Sequence, residues 1–157
     1  MRFASRTSFK SAGELAFTSD ESGSSVTLYE AEIDGAFTPR ATVSTLPADF
    51  TGKNTTAEVK IHPSGRFVWV SNRGHDSLAG FRIDARNRSI QPLGQTPTEK
   101  TPRSFDIDPS GRYLLAAGEG SGNLQAYKID EKTGALTPTK KYEVGKSLTW
   151  VTVVKLP

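Results

Sequence analysis

The sequence predicts an all-β protein: a β-propeller segment of about three four-stranded blades plus one extra strand. Three observations carry this prediction. A repeat of blade length occurs three times, each copy divides into four short strands separated by turn residues, and no stretch shows the period of a helix. A four-stranded repeat of about 40–50 residues is typical of propellers.

The repeat is clearest in a turn and in the apolar strand that follows it. The three copies begin at residues 10, 62 and 108 and read KSAGELAF, HPSGRFVW and DPSGRYLL, so they are spaced by 52 and 46 residues. In the last two copies, proline and glycine supply the fixed φ and the positive φ that a tight turn uses. The repeat predicts blades over residues 5–46, 56–98 and 103–145.

The third copy shows how one blade is built. Its strands are predicted over residues 104–107, 112–117, 123–129 and 136–144. The glycine-rich loop at 118–122 lies between two strands and no helix follows it, so we interpret it as a blade loop and not as a phosphate-binding loop. Residues 149–154, TWVTVV, predict the first strand of a further blade.

Composition narrows the class of function. Apolar residues make up 35% of the chain and charged residues 24%, which is typical of a globular domain. No run approaches the roughly 20 apolar residues of a membrane helix, and no basic cluster carries interleaved aromatics, so we expect neither a membrane nor a nucleic-acid partner. The net charge of +3 suits an anionic small substrate. The chain has no cysteine, which excludes disulfides and thiolate metal sites and fits a cytoplasmic location.

Several segments resemble one family. They are residues 101–114 (TPRSFDIDPSGRYL), residues 71–77 (SNRGHDS), the connector at 46–54 (LPADFTGKN) and residues 150–154. Together they resemble the C-terminal half of propeller-type 6-phosphogluconolactonases, which are related to 3-carboxymuconate lactonizing enzymes. The resemblance implies a seven-bladed lactonase of about twice this length, with no cofactor. It weakens near the N-terminus, where the family's Arg-His pair falls on Ser5 and Arg6.

A propeller brings polar residues together at one mouth of its central channel. The loop before each first strand and the loop between the second and third strands lie on the same face of the ring. The residues that the repeat places there are Arg6, Glu21, Glu58, Asn72, Arg73, His75, Arg103 and Glu119.

The roles of these residues follow from what lactone hydrolysis requires. A base must take a proton from the attacking water, donors must stabilise the oxyanion, and cations must hold a substrate phosphate. We expect Glu21 to be the base, with Arg73 and Arg103 as the catalytic ligands of the oxyanion and the anion. The substrate-binding residues are predicted to be Arg6, Asn72, His75 and Glu119. The reaction needs no metal.

Structural roles for the same residues stay open at this point. The charges at Glu21, Arg73 and Glu119 occupy equivalent positions and could form a ring of salt bridges. His75 could simply order its loop beside Asp76, and we expect a structural role for His62 because it precedes a turn.

Other functions and assemblies also stay open. A muconate-type lactonizing isomerase and a non-catalytic propeller scaffold are the alternatives to a hydrolase. Because the terminal blades would each leave one face uncovered, we expect a homo-oligomer, or pairing with a missing N-terminal half.

Overall fold

The computed structural model describes residues 7–9 as backbone and residues 15–32 and 34–156 in full. The described residues form twelve strands, all in antiparallel sheets of four, and contain no helix. The all-β prediction and the four-stranded blades are confirmed.

Each sheet is built from four strands that are consecutive in the chain. Blade 1 consists of β1 (Thr7–Phe9), β2 (Leu15–Asp20), β3 (Ser25–Ala31) and β4 (Phe37–Ser44). Blade 2 consists of β5 (Thr55–Ile61), β6 (Phe67–Arg73), β7 (Ser77–Asp84) and β8 (Ser89–Pro97). Blade 3 consists of β9 (Pro102–Ile107), β10 (Tyr113–Gly118), β11 (Asn123–Ile129) and β12 (Leu136–Glu143).

The apolar cores lie between the blades, one at each interface. The core between blades 1 and 2 is built around Phe17, Leu28 and Phe81. The core between blades 2 and 3 is built around Phe105, Leu114 and Tyr127. All six side chains are at most 1% exposed. Burying a side chain of this size contributes about 1.5–3 kcal/mol, so contact between the sheets stabilises the arrangement of blades.

Strand β6 contributes to both cores because successive side chains in a strand point to opposite faces. Val68 and Val70 pack into the core with blade 1, whereas Phe67 and Trp69 pack into the core with blade 3. None of the four is more than 1% exposed. This two-sided burial explains why an uninterrupted apolar run forms a strand here.

His62 links the turns of two neighbouring blades. It is 3% exposed, and its Nδ1 accepts a hydrogen bond from the backbone N–H of Ser64 at 3.0 Å. The proton must then be on Nε2, which donates to the carbonyl oxygen of Gly111 at 2.8 Å. Gly111 has a φ of 77°, and a Cβ there would lie 2.7 Å from His62 Nε2. These contacts support the structural role expected for His62.

The structure differs from the prediction of an extra strand at residues 149–154, because these residues form no strand. Their amides bind side chains of β9 instead: Val151 N–H donates to Ser104 Oγ (3.3 Å), and Val153 N–H donates to Asp106 Oδ2 (2.9 Å). The segment therefore runs beside β9, where the next first strand would lie. A ladder needs a second strand, and no other described strand pairs with the segment.

Glu99 holds the connector between blades 2 and 3 against blade 3. Its carboxylate forms an ion pair with Lys141 Nζ at 2.7 Å and accepts a hydrogen bond from Asn123 Nδ2 at 3.0 Å. Burial alone raises the pKa of the Glu99 carboxyl. Hydrogen bonds from Lys141, Asn123 and Ser121 outweigh that effect and leave the pKa below its ordinary value of 4.5. The ionised carboxylate therefore stabilises the folded state.

We predict that Glu99→Gln lowers the free energy of unfolding by about 1–3 kcal/mol at pH 7, because it removes a charged acceptor. A lowered folded-state pKa contributes stability above the unfolded pKa and loses it as pH falls through the folded value. The difference between the two proteins should therefore shrink below about pH 4.5. Urea unfolding at pH 7 and pH 4 measures it, with the exposed Glu143→Gln as control. An equal difference at both pH values would contradict this account.

Candidate functional site

Several of the predicted site residues lie at one edge of the blades, where the second strands end and the first strands begin. Strands β2, β6 and β10 end at the same edge of their sheets where β5 and β9 begin, because each first strand runs antiparallel to the second. The register pairs Thr55 with Arg73 and Pro102 with Gly118. Residues at the starts of first strands and at the ends of second strands therefore share this edge, which we call the rim.

An ion pair joins blade 1 to blade 2 at the rim. Glu21 follows β2, and its carboxylate oxygen Oε1 accepts a hydrogen bond from Nη2 of Arg73, the last residue of β6. The same Nη2 donates to the carbonyl oxygen of Thr56 at 3.0 Å. The Arg73 side chain is 16% exposed and that of Glu21 40%, so the carboxylate is the accessible partner. Among the described residues, Glu21 Oε2 has no hydrogen-bond partner.

A second, looser ion pair lies on blade 3. Arg103, near the start of β9, approaches Glu119 Oε2 with Nη1 at 3.4 Å, and both side chains are between 30% and 40% exposed. The backbone N–H of Glu119 donates to the carbonyl oxygen of Thr101 at 2.9 Å, which holds the loop after β10 against the strand start. Within the described chain, the rim charges form two separate pairs and not a ring.

Asn72 lies below the rim and not on it. It is 0% exposed. Its Nδ2 donates to the carbonyl oxygen of Thr45 at 2.9 Å and to Ser77 Oγ at 3.2 Å. Its Oδ1 accepts hydrogen bonds from Thr45 Oγ1 at 2.7 Å and from Asn54 Nδ2 at 3.2 Å. Its buried amide is therefore engaged by the protein, and it presents no exposed surface to a ligand.

His75 is half-buried beside the connector. Its Nδ1 lies 2.7 Å from Ser77 Oγ, and its backbone N–H donates to Asn54 Oδ1 at 3.1 Å. The Phe50 ring meets the imidazole edge-on, with centroids 4.9 Å apart and an interplanar angle of 88°. These contacts support the interpretation that His75 orders its loop, and its part in substrate binding stays a prediction.

Glu58 and Arg6 are the remaining residues of the predicted set. Glu58 is 4% exposed and lies within β5, where its Oε2 is 3.5 Å from Ser104 Oγ. It therefore lies deeper than the rim pairs. Arg6 falls outside the described residues.

Residues of the connector are the part of the site that the sequence did not reveal. Asn54, Thr45 and Phe50 approach the predicted residues from blade 1 and from the connector that follows it. The close approach depends on Gly74, where a Cβ would lie 2.2 Å from the carbonyl oxygen of Lys53. Besides the family resemblance of the connector itself, the glycine in the SNRGHDS segment was a signal, since glycine permits such an approach and a φ of 128°.

The described residues hold no group of three or more His, Asp or Glu side chains placed to bind a metal ion. No helix that could cross a membrane occurs among them.

Comparison with known proteins agrees with this architecture. The sequence model of the lactonase family, described as a 7-bladed β-propeller, matches residues 6–153. A 6-phosphogluconolactonase of Yersinia pestis is 36% identical over 141 residues, which are 89% of this chain and 42% of that protein. The chain therefore spans less than half the length of this curated relative.

Solved structures give the same result. A Lactobacillus plantarum protein superposes with a TM-score of 0.87 at 30% identity, covering 96% of this chain and 45% of its own. A periplasmic gluconolactonase of Pseudomonas aeruginosa superposes with a TM-score of 0.83 at 27% identity, covering 90% of this chain and 40% of its own. The family model covers nearly all of the chain, so this chain belongs to the seven-bladed β-propeller lactonase family.

Proposed function

We propose that the rim contributes to the hydrolysis of a sugar lactone, such as 6-phosphogluconolactone, with Glu21 as the base and Arg73 and Arg103 as the cationic ligands. The observation that carries the proposal is the Glu21–Arg73 pair, in which a part-exposed carboxylate lies beside a largely buried guanidinium. The names of the Yersinia pestis and Pseudomonas aeruginosa relatives agree with this reaction class.

The chemistry uses water and no covalent intermediate. Glu21 Oε2 takes a proton from water as the water oxygen bonds to the lactone carbonyl carbon, which is general base catalysis. The carbonyl oxygen becomes an oxyanion, which a guanidinium stabilises. The bond from the carbonyl carbon to the ring oxygen then breaks, and the ring oxygen takes the proton. The product is an open-chain sugar acid.

Arg103 is the better candidate for holding a phosphate. Its side chain is 40% exposed and its contact with Glu119 is long, at 3.4 Å, so an incoming anion can replace that partner at low cost. Guanidinium groups match the geometry of phosphate oxygens and bind them with two parallel hydrogen bonds. Arg73 is less exposed and shares its Nη2 with Thr56, so it suits a fixed role beside the base.

A non-catalytic scaffold is the second candidate, and one observation favours it. Arg73 and Arg103, the rim arginines that the structure describes, already have acidic partners within the protein. In a scaffold these pairs would only join loops, and replacing them would change stability without changing chemistry.

A cytoplasmic location remains part of the proposal because the chain lacks cysteine, although the Pseudomonas aeruginosa relative is periplasmic.

We predict that Glu21→Gln lowers lactone turnover by about 10²-fold or more, because the amide keeps the shape of the side chain but cannot accept the proton. Turnover is measured with 6-phosphogluconolactone and corrected for spontaneous hydrolysis. The matched control is Glu131→Gln, an exposed glutamate in the turn before β12. Unchanged turnover in the Glu21 variant would remove this residue from the mechanism. Loss of thermal stability alone would favour the scaffold.

Arg103→Ala should weaken binding of a phosphorylated lactone about 10–100-fold, because it removes charged hydrogen bonds to the phosphate. Binding of the unphosphorylated analogue should change far less. The ratio of KM values for the two substrates measures this difference, and Arg112→Ala, on an exposed turn, is the control. Equal losses for both substrates would assign Arg103 a packing role.

We also propose that the apolar segment of residues 150–156, which runs beside β9, pairs with a second copy of the chain. Its side chains Trp150, Val154 and Leu156 are 54%, 67% and 76% exposed. Burying them would gain about 25 cal/mol per Å² of apolar surface. Sedimentation velocity at micromolar concentration should show a dimer that Trp150→Ser shifts toward monomer, while Leu93→Ser on β8 does not. A monomeric wild-type chain would contradict self-association and leave pairing with N-terminal blades as the alternative.

A further inference from the structure

A buried polar network lies beneath the connector, and its members hydrogen-bond in series. Asn72 and Ser77 are both 0% exposed, and the series ends at the part-exposed ring of His75. Because none of the inner groups can reach bulk water, each proton in the series needs an acceptor within the protein. The directions of the hydrogen bonds can therefore be worked out one by one.

The orientation of the Asn72 amide comes first. A carbonyl oxygen can only accept, so the group 2.9 Å from Thr45 O must be the amide nitrogen Nδ2. The oxygen Oδ1 then accepts from Thr45 Oγ1 at 2.7 Å and from Asn54 Nδ2 at 3.2 Å. The second Nδ2 proton points to Ser77 Oγ at 3.2 Å. Asn72 is therefore a donor to Ser77.

The hydroxyl of Ser77 comes next. It accepts from Asn72, so its own single proton must go elsewhere. Its other neighbour among the described residues is Nδ1 of His75, at 2.7 Å. If Nδ1 carried a proton instead, Ser77 would receive two donors and its own buried proton would have no described acceptor. Leaving a buried donor unpaired is unfavourable. Nδ1 of a neutral His75 is therefore the acceptor.

The ring of His75 is also held in place from two other sides. Asn54 Oδ1 accepts from the backbone N–H of His75 at 3.1 Å, and the same Asn54 side chain donates to Ser24 Oγ at 2.9 Å. Phe50 contacts the imidazole edge-on. The ring position and the hydrogen bond at Nδ1 are thus set by residues from both blades 1 and 2.

We infer that Asn72 and Ser77 are positioning residues that fix neutral His75 as its Nε2–H tautomer. In this form His75 offers an N–H donor at the rim, suited to an oxygen atom of a ligand such as a carbonyl, an oxyanion or a phosphate. The identity of that ligand as a lactone rests on the proposed function. The tautomer does not, since it follows from the hydrogen bonds alone.

Nitrogen-15 NMR of the imidazole side chains tests the inference directly. The chain has two histidines, so the spectrum of His75→Gln assigns both. At about pH 8.5, above the ordinary pKa of an imidazole, wild-type His75 should show Nε2 protonated and Nδ1 unprotonated. A protonated Nδ1, or a mixture with equal populations, would overturn the inference.

Two variants separate positioning from a general structural effect. Ser77→Ala removes the donor to Nδ1 and should raise the ratio of the Nδ1–H to the Nε2–H tautomer about fivefold to tenfold. Ser77→Thr keeps the hydroxyl and should restore the wild-type ratio. The His62 signals, which report a different pair of blades, should not change and serve as the internal control for folding. An unchanged His75 ratio in Ser77→Ala with unchanged His62 signals would overturn the role of the series. A shifted ratio without lactone turnover would support it while the proposed function fails.

Discussion

The structure depends on the burial of both faces of the central sheet. Blade 2 is apolar on each side because alternate residues of β6 point to blade 1 and to blade 3. This burial orders the three sheets side by side and sets the first strands β5 and β9 in neighbouring positions. The side chains of Ser104 and Asp106 on β9 accept hydrogen bonds from the backbone N–H groups of Val151 and Val153. The same packing therefore sets the place beside β9 where a further first strand would lie.

The packing of the sheets also determines which ionisable side chains lie at the rim. Each blade ends its second strand and begins its first strand at the rim, so ionisable side chains from different blades meet there without any long loop. Glu21 reaches Arg73 across the interface of blades 1 and 2, whereas Arg103 and Glu119 pair within blade 3. The rim thus contains one pair whose arginine is largely buried and one pair whose arginine is more exposed, and the proposed function assigns the anion-binding role to the more exposed one.

The connector between blades 1 and 2 is as much a part of the site as the strands. Its Asn54 and Phe50 contact His75, and Gly74 admits its backbone at a distance that no other residue would allow. Asn72 is predicted from the sequence to bind substrate. In the structure it is buried and holds this connector by hydrogen bonds instead. A buried amide with all of its hydrogen bonds made is costly to disturb, which suits a part that must hold other groups still.

The sequence by itself determined the fold class, because the three turns and the apolar strands repeat at blade spacing and no stretch shows the period of a helix. It also predicted that Glu21, Arg73, Arg103 and Glu119 share one edge of the blades, and in the structure Glu21 pairs with Arg73 and Arg103 with Glu119. Only the tertiary structure decided which charges pair, that Asn72 is buried, and that residues 149–154 bind side chains instead of forming a ladder. These outcomes depend on contacts between residues of different blades and on the connector, and local pattern carries no information about such distances.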